Sequence, residues 1–322
     1  MVSAALMSAC GVAAQAIFPF LPDPSTAKIV YGIIFSIAGV VILRLGGYRA
    51  FEKVMSVSIG LMFITVILTA ILLQPTWGQL INGMILPIIP QVDGEGLAWT
   101  VALMGGVGGT VTILCYGYWI REEGRFGDED LQDSRFDLVI AYSMTALFGL
   151  SMVVIGSTVE VEGEGASLII KLAGRLVDKL GIPGKWIFML GAFGATFSSL
   201  LGVWQSIPYL FADLWSQMSD DQALKQRKVD SNSKPYRFYL YGIAFIPMIG
   251  LWIGFASMQK FYAIFGALFI PILALVLLLL NSRVKIIGKK HRNHPSTSII
   301  LIIILLFFLM VVWLTIRSVF GL

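Results

Sequence analysis

Apolar residues run along this chain in nine stretches long enough to cross a bilayer, and polar residues gather between them. A spanning helix needs about 20 mostly apolar residues. The pattern predicts helices over residues 2–20, 27–45, 51–73, 99–120, 136–159, 185–215, 236–256, 261–281 and 298–320. No soluble domain is visible, so residues 1–322 are expected to form a single polytopic membrane domain.

The polar intervals carry an orientation. Arg44, Arg49 and Lys53 lie between the second and third spans. Lys225, Arg227, Lys228, Lys234 and Arg237 lie between the sixth and seventh, and Arg283, Lys285, Lys289, Lys290 and Arg292 between the eighth and ninth. These intervals fall on one side if every span crosses once, and cytoplasmic loops carry the excess of Lys and Arg. The chain is therefore expected in the cell membrane as a multi-pass protein with its basic loops cytoplasmic. The interval 160–184 falls outside yet carries Lys171, Arg175 and Lys179. Leu168, Ile169, Leu172, Leu176 and Leu180 have helical spacing there, which predicts a short amphipathic helix on the outer surface.

Composition agrees with the pattern. The 322 residues are 57% hydrophobic and 13% charged, with a mean hydropathy of +0.84; soluble domains carry about a quarter charged residues. The net charge of +4 does not point to nucleic acid, because the basic residues sit in loops where they report orientation. Cys10 and Cys115 each lie inside an apolar span and show no spacing for a disulfide, zinc site or redox motif. The start has no charged n-region before its apolar run, so it does not read as a signal peptide. It reads as a chain entered partway through a span, and nine is an odd count.

One apolar span is interrupted by its own composition. Gly105, Gly106, Gly108 and Gly109 fall within five positions, followed by Thr110 and Thr112. Glycine costs about 1 kcal/mol against alanine inside a helix, and broken backbone at membrane depth is tolerated only where it lines a cavity or is buried in protein. A helix break would free carbonyls at Gly108 and Gly109 beside the hydroxyls of Thr110 and Thr112, and oxygen donors suit hard cations. Close helix packing is the competing reading, since Gly105 and Gly109 form a small-xxx-small pair.

Other polar residues carry weaker signals. Tyr118 and Trp119 beside Arg121 read as an interfacial anchor, while the deeper Tyr116 is a candidate to face a cavity. Thr196, Ser198 and Ser199 are expected to bond back to their own helix. The Gln205 amide needs partners and could equally meet a water-filled path. Asp213, near the inner end of its span, is expected to be solvated. The acidic run 128–133 lacks the spacing and glycine of a calcium loop, and His291 and His294 have no further ligands nearby in sequence. No GxxxxGK[ST] motif and no catalytic serine, cysteine or carboxylate pair stands out, so neither an enzyme nor a cofactor is expected.

Gly108-Gly109-Thr110-Val111-Thr112-Ile113-Leu114-Cys115 resembles the sixth-helix break of the NRAMP divalent-metal transporters, where the pattern is Gly-Ala-x-Val-Met-Pro-His-Asn. Tyr48-Arg49-Ala50-Phe51-Glu52-Lys53 resembles that family's turn between its fourth and fifth helices, and Phe197-Ser198-Ser199-Leu200-Leu201-Gly202 its eighth helix. The order and spacing of spans agree from the third family helix to the eleventh. The departures are informative. Thr112 stands where the family's metal-binding methionine stands, Gly109 where an alanine carbonyl binds metal, and Leu114 where a histidine is tied to proton movement. The eighth span lacks the polar pair of the family's tenth helix. This pattern is similar to the NRAMP-related magnesium transporters, whose site is wider and takes a more hydrated ion. The family's Asp-Pro-Gly-Asn motif has no counterpart; Asp23-Pro24-Ser25 is the nearest string and sits between spans. The first two helices of the expected repeat are therefore read as missing.

The resemblance implies an all-α integral membrane protein of the leucine-transporter type, an inverted-repeat helix bundle with about nine transmembrane helices. It implies transport of a divalent cation, magnesium or manganese, by alternating access. Gly108, Gly109 and Thr112 would hold the metal, and Thr110, Tyr116 and Gln205 would line its pathway. The expected partners are the metal ion and the lipid bilayer, with no nucleic acid. A transporter of amino acids or organic cations on the same fold, a non-transporting sensor or scaffold, and a truncated fragment stay open as alternatives, since one scaffold hosts many functions.

Overall fold

The structure is a computed structural model that describes residues 2–73, 76–86, 95–108, 111–125, 130–157, 166–218, 231–289 and 291–320. Every element among the described residues is helical. Among the described residues, five helices are long and apolar enough to cross a membrane: Pro24–Leu45, Glu52–Leu72, Asp130–Ser157, Gly181–Met218 and Phe255–Asn281. Val2–Ile17 and the stretch Pro295–Val311 of the helix Pro295–Phe320 are apolar as well. The remaining two predicted spans, the fourth and the seventh, are each interrupted by a 3₁₀ stretch, Val111–Cys115 and Ile246–Trp252. Pro247 accounts for the second interruption, because proline removes a backbone donor and clashes with the preceding turn.

The first helix, α1 (Val2–Ile17), is built from small residues and is buried at 13 of its 16 positions. Small side chains let neighbouring backbones approach closely. A Cβ on Gly32 would stand 2.9 Å from the Met7 carbonyl oxygen, and Gly11 lies against Lys28. The second helix, α2 (Pro24–Leu72), therefore starts antiparallel to α1.

The backbone of α2 is helical throughout, where the sequence pattern predicts a loop around Arg49. It is nevertheless no straight rod. Phe35 and Thr65 would lie about 45 Å apart on one. Yet the Phe35 ring packs on Phe193 at 4.7 Å, and Thr65 lies against Gly191, two residues from Phe193. Phe35 with Phe193 and Gly39 with Leu200 set a parallel register; Met55 with Gly202, Ser58 with Gly194 and Thr65 with Gly191 set an antiparallel one. The chain reverses between Leu45 and Glu52, where the two candidate spans end, so the turn predicted from Arg44, Arg49 and Lys53 is present as a helical hairpin.

Both halves of α2 clasp α7 (Ala166–Met218). Gly181, at φ 68° and ψ −168°, divides α7 into two helices; that backbone conformation favours glycine. The first part covers the predicted amphipathic helix. One face of it is docked on protein, since Ala173 packs with Ile17, Phe188 and Met189. The second part carries the centre of the core, where Leu200, Leu201 and Trp204 pack with Met7, Cys10, Leu240 and Leu251.

Two compact units emerge, Met1–Leu86 with Val111–Gln259, and Pro87–Thr110 with Lys260–Leu322. The first holds α1, α2, α3 (Trp77–Ile85), α6 (Asp130–Ser157) and α7. The second holds α4 (Glu95–Gly108) and the carboxyl-terminal helices. Within it the Lys260 ammonium lies 5.2 Å from the Trp99 ring centroid.

Candidate metal centre and the helix break

The glycine cluster coincides with a change of helix type. The described α-helix runs to Gly108, and the chain is described again from Val111, where Val111–Cys115 is 3₁₀, followed by the short α5 (Tyr116–Glu122). 3₁₀ geometry is used in short pieces. Gly109 and Thr110 lie outside the described residues, and Thr112 lies in the 3₁₀ stretch.

Packing claims one of the glycines. A Cβ at Gly105 would stand 1.9 Å from the Ala263 carbonyl oxygen and 2.5 Å from the Ala267 nitrogen. Gly105 therefore lets α4 touch the backbone of α8 (Phe255–Ala267), as the small-residue reading requires. Gly105 thus serves a packing contact, and the 3₁₀ stretch follows the cluster.

The half-helix after the break is held by α6 and α7. The Cys115 thiol donates to the Ser206 carbonyl at 3.3 Å, and Cys115 is buried. Trp119 Nε1 donates to Gln205 Oε1 at 3.0 Å. The Tyr118 hydroxyl donates to Asp213 Oδ2 at 2.5 Å, and its ring packs on Tyr209 at 5.3 Å. Tyr116 turns the other way and donates to the Ser134 carbonyl at 3.1 Å. Arg125, just past α5, pairs with Asp137 on α6. Cys115 with Ser206 and Tyr118 with Tyr209 advance together, so the half-helix runs parallel to α7.

These contacts place two pathway candidates in definite roles. Gln205 is buried and accepts from Trp119, and Tyr116 bonds to backbone. Asp213 is partly exposed and also accepts from Gln217 Nε2 at 2.8 Å. Tyr118 and Trp119, expected as an interfacial anchor, bond to α7 side chains. Sequence reasoning missed this pairing; the apt signal was an aromatic pair on one segment and an amide and carboxylate eight positions apart on another. The hydroxyls of Thr196, Ser198 and Ser199 all return to carbonyls of their own helix.

The side chains around the two basic intervals also meet. Arg44 donates to Asn232 Oδ1 at 3.0 Å, which puts the α2 turn and the segment after α7 at one end of the first unit. Asp23 is a helix cap. It accepts from the Thr26 amide at 2.8 Å and hydroxyl at 2.5 Å, and these bonds hold its carboxyl below the ordinary range. The eighth span begins earlier than predicted and includes Gln259, which donates to the Ala5 carbonyl at 2.7 Å. Among the described residues no three of His, Cys, Asp and Glu group as a metal cluster. His294 Nδ1 pairs with the Ser296 hydroxyl at 2.8 Å.

Residues 1–318 match the family model described as Natural resistance-associated macrophage protein-like. The chain belongs to the Nramp family. The match covers nearly the whole sequence and agrees with the helical architecture. Nramp proteins are membrane transporters of divalent metal cations rather than enzymes, so the metal is cargo. A comparison with individually curated proteins finds no match.

Proposed function

We propose that this Nramp protein passes magnesium or manganese across the cell membrane by alternating access, with the cation held at the break after Gly108. The observation that carries the reading is the 3₁₀ stretch Val111–Cys115, which follows the α-helix Glu95–Gly108 inside the segment that resembles the family's metal-binding break. The donor set is oxygen alone: carbonyls of Gly108 and Gly109 and the Thr112 hydroxyl, with Thr110, Tyr116 and Gln205 as the pathway residues. Sulfur favours softer transition metals, and oxygen favours harder ones. Magnesium gives up its water reluctantly, so small residues at 109 and 112 suit an ion that keeps part of its shell. This supports the magnesium-type branch of the family. Leu114 offers no proton acceptor, which supports passage without a histidine-borne proton. The basic intervals support a cytoplasmic face at the Arg44 end.

Uptake into proteoliposomes tests this. The protein should admit magnesium and manganese, and Thr112→Ala should raise the apparent KM for both. Uptake of organic cations or amino acids with no divalent flux would overturn the reading in favour of another cargo on the same fold.

A further inference from the structure

The half-helix Val111–Glu122 cannot hold its own position. It comprises five residues of 3₁₀ and seven of α-helix after a glycine-rich interruption, and isolated helices shorter than about 12–15 residues are marginal. Its placement must come from tertiary contacts. Those contacts are polar and specific: Trp119 to Gln205, Tyr118 to Asp213, Cys115 to the Ser206 carbonyl. They fall on a stretch of α7 whose other neighbours, Leu200, Leu201 and Trp204, form the most buried core of the first unit. Gln205 Oε1 and Asp213 Oδ2 therefore project from the firmest element available. Gln205 and Asp213 lie about 12 Å apart along α7 and receive consecutive residues of the half-helix, so one level of it is held from two directions.

We propose that Tyr118, Trp119, Gln205 and Asp213 are positioning residues: a two-point clamp that sets the register of the half-helix on α7, and through it the position of residue 112. Position 112 is six residues before Tyr118, so a shift of the clamp reaches it through about two turns of helical backbone. The consequence for ion affinity rests on the proposed transport role of Thr112; the clamp itself does not. Hydrogen bonds suit this task better than apolar packing, because their direction and length fix one geometry. A family resemblance at the break says nothing of these four residues.

Native Cys115 supplies a reporter, since it is buried between the half-helix and α7. Purified protein in proteoliposomes is treated with a membrane-permeant maleimide, and labelling at Cys115 and Cys10 is followed by mass spectrometry. Manganese uptake is measured on the same samples. Cys10, buried in the core on α1, controls for general loosening. In Tyr118→Phe and Gln205→Leu, Cys115 should label about threefold to tenfold faster, as loss of one or two hydrogen bonds predicts. Cys10 should stay unreactive. KM for manganese should rise with kcat little changed, and Gln205→Glu, which keeps the acceptor, should restore both readouts.

Unchanged Cys115 labelling in a protein that transports would overturn the clamp and leave the transport reading intact. Equal acceleration at Cys10 and Cys115 in both single variants would overturn it too, since the contacts would then serve general stability. Accelerated Cys115 labelling in the two variants, with no metal flux in the wild type, would support the clamp and overturn the transport reading.

Discussion

Gly11 of α1 and Lys28 of α2 meet backbone to backbone: a Cβ at position 11 would stand 2.1 Å from the Lys28 carbonyl oxygen. No side-chain rotation can relieve that contact. Gly11→Ala should therefore destabilise the protein by about 3 kcal/mol, the upper end for overpacking a filled interior. Thermal unfolding in detergent checks this. An alanine variant as stable as the parent would show that the two helices separate freely.

Gly105 makes the matching contact in the second unit, against Ala263 and Ala267. Gly105→Ala should lower the unfolding temperature and the yield, while the protein that does fold keeps the parent's KM for manganese. That split assigns Gly105 to packing. A raised KM in a fully stable variant would assign it to the ion instead.

Thr112 is the position where ligand softness can be changed with one substitution. Thr112→Met places a thioether there, so manganese and cadmium uptake should gain on magnesium by about tenfold, since sulfur favours softer cations. Competition of each metal against manganese uptake measures the ratio. An unchanged ratio would remove residue 112 from the selectivity site.

Asp23 gives a pH dependence of known sign. Bonds from Thr26 hold its folded carboxyl below the ordinary value of about 3.9. Its contribution is therefore fully present above the unfolded value and lost as pH falls through the lower folded one. Asp23→Ala should unfold at a lower temperature than the parent at neutral pH, because an N-cap and a favourable charge at a helix start are both gone. The difference should close in acid below the ordinary carboxylate range. A constant difference across that window would mean the ionised cap plays no part.

Much of the architecture was legible in the order of apolar stretches, because each helix that faces lipid must be apolar along its length. The breaks were legible unevenly. Four glycines announced the first one, whereas Pro247 was a single residue within an otherwise regular span and the 3₁₀ stretch behind it went unread. The α2 reversal was legible as a basic interval, but its helical backbone was not, since charge reports side of the membrane and says nothing of φ and ψ. Gln205 looked like a path-lining amide because its need for a partner was visible and its partner, Trp119, was not. Pairings between segments 86 positions apart depend on the register of packed helices, which one sequence does not print.

The burial of α1 has a consequence for how the bilayer acts on this protein. A lipid-facing helix answers a change in bilayer thickness by tilting, by thinning the membrane or by drawing its flanks inward. With α2, α7 and the Ile246–Trp252 turn around it, α1 is solvated by protein along most of its surface. Changes in acyl-chain length therefore press on the outer helices first, and reach α1 only as far as those helices tilt.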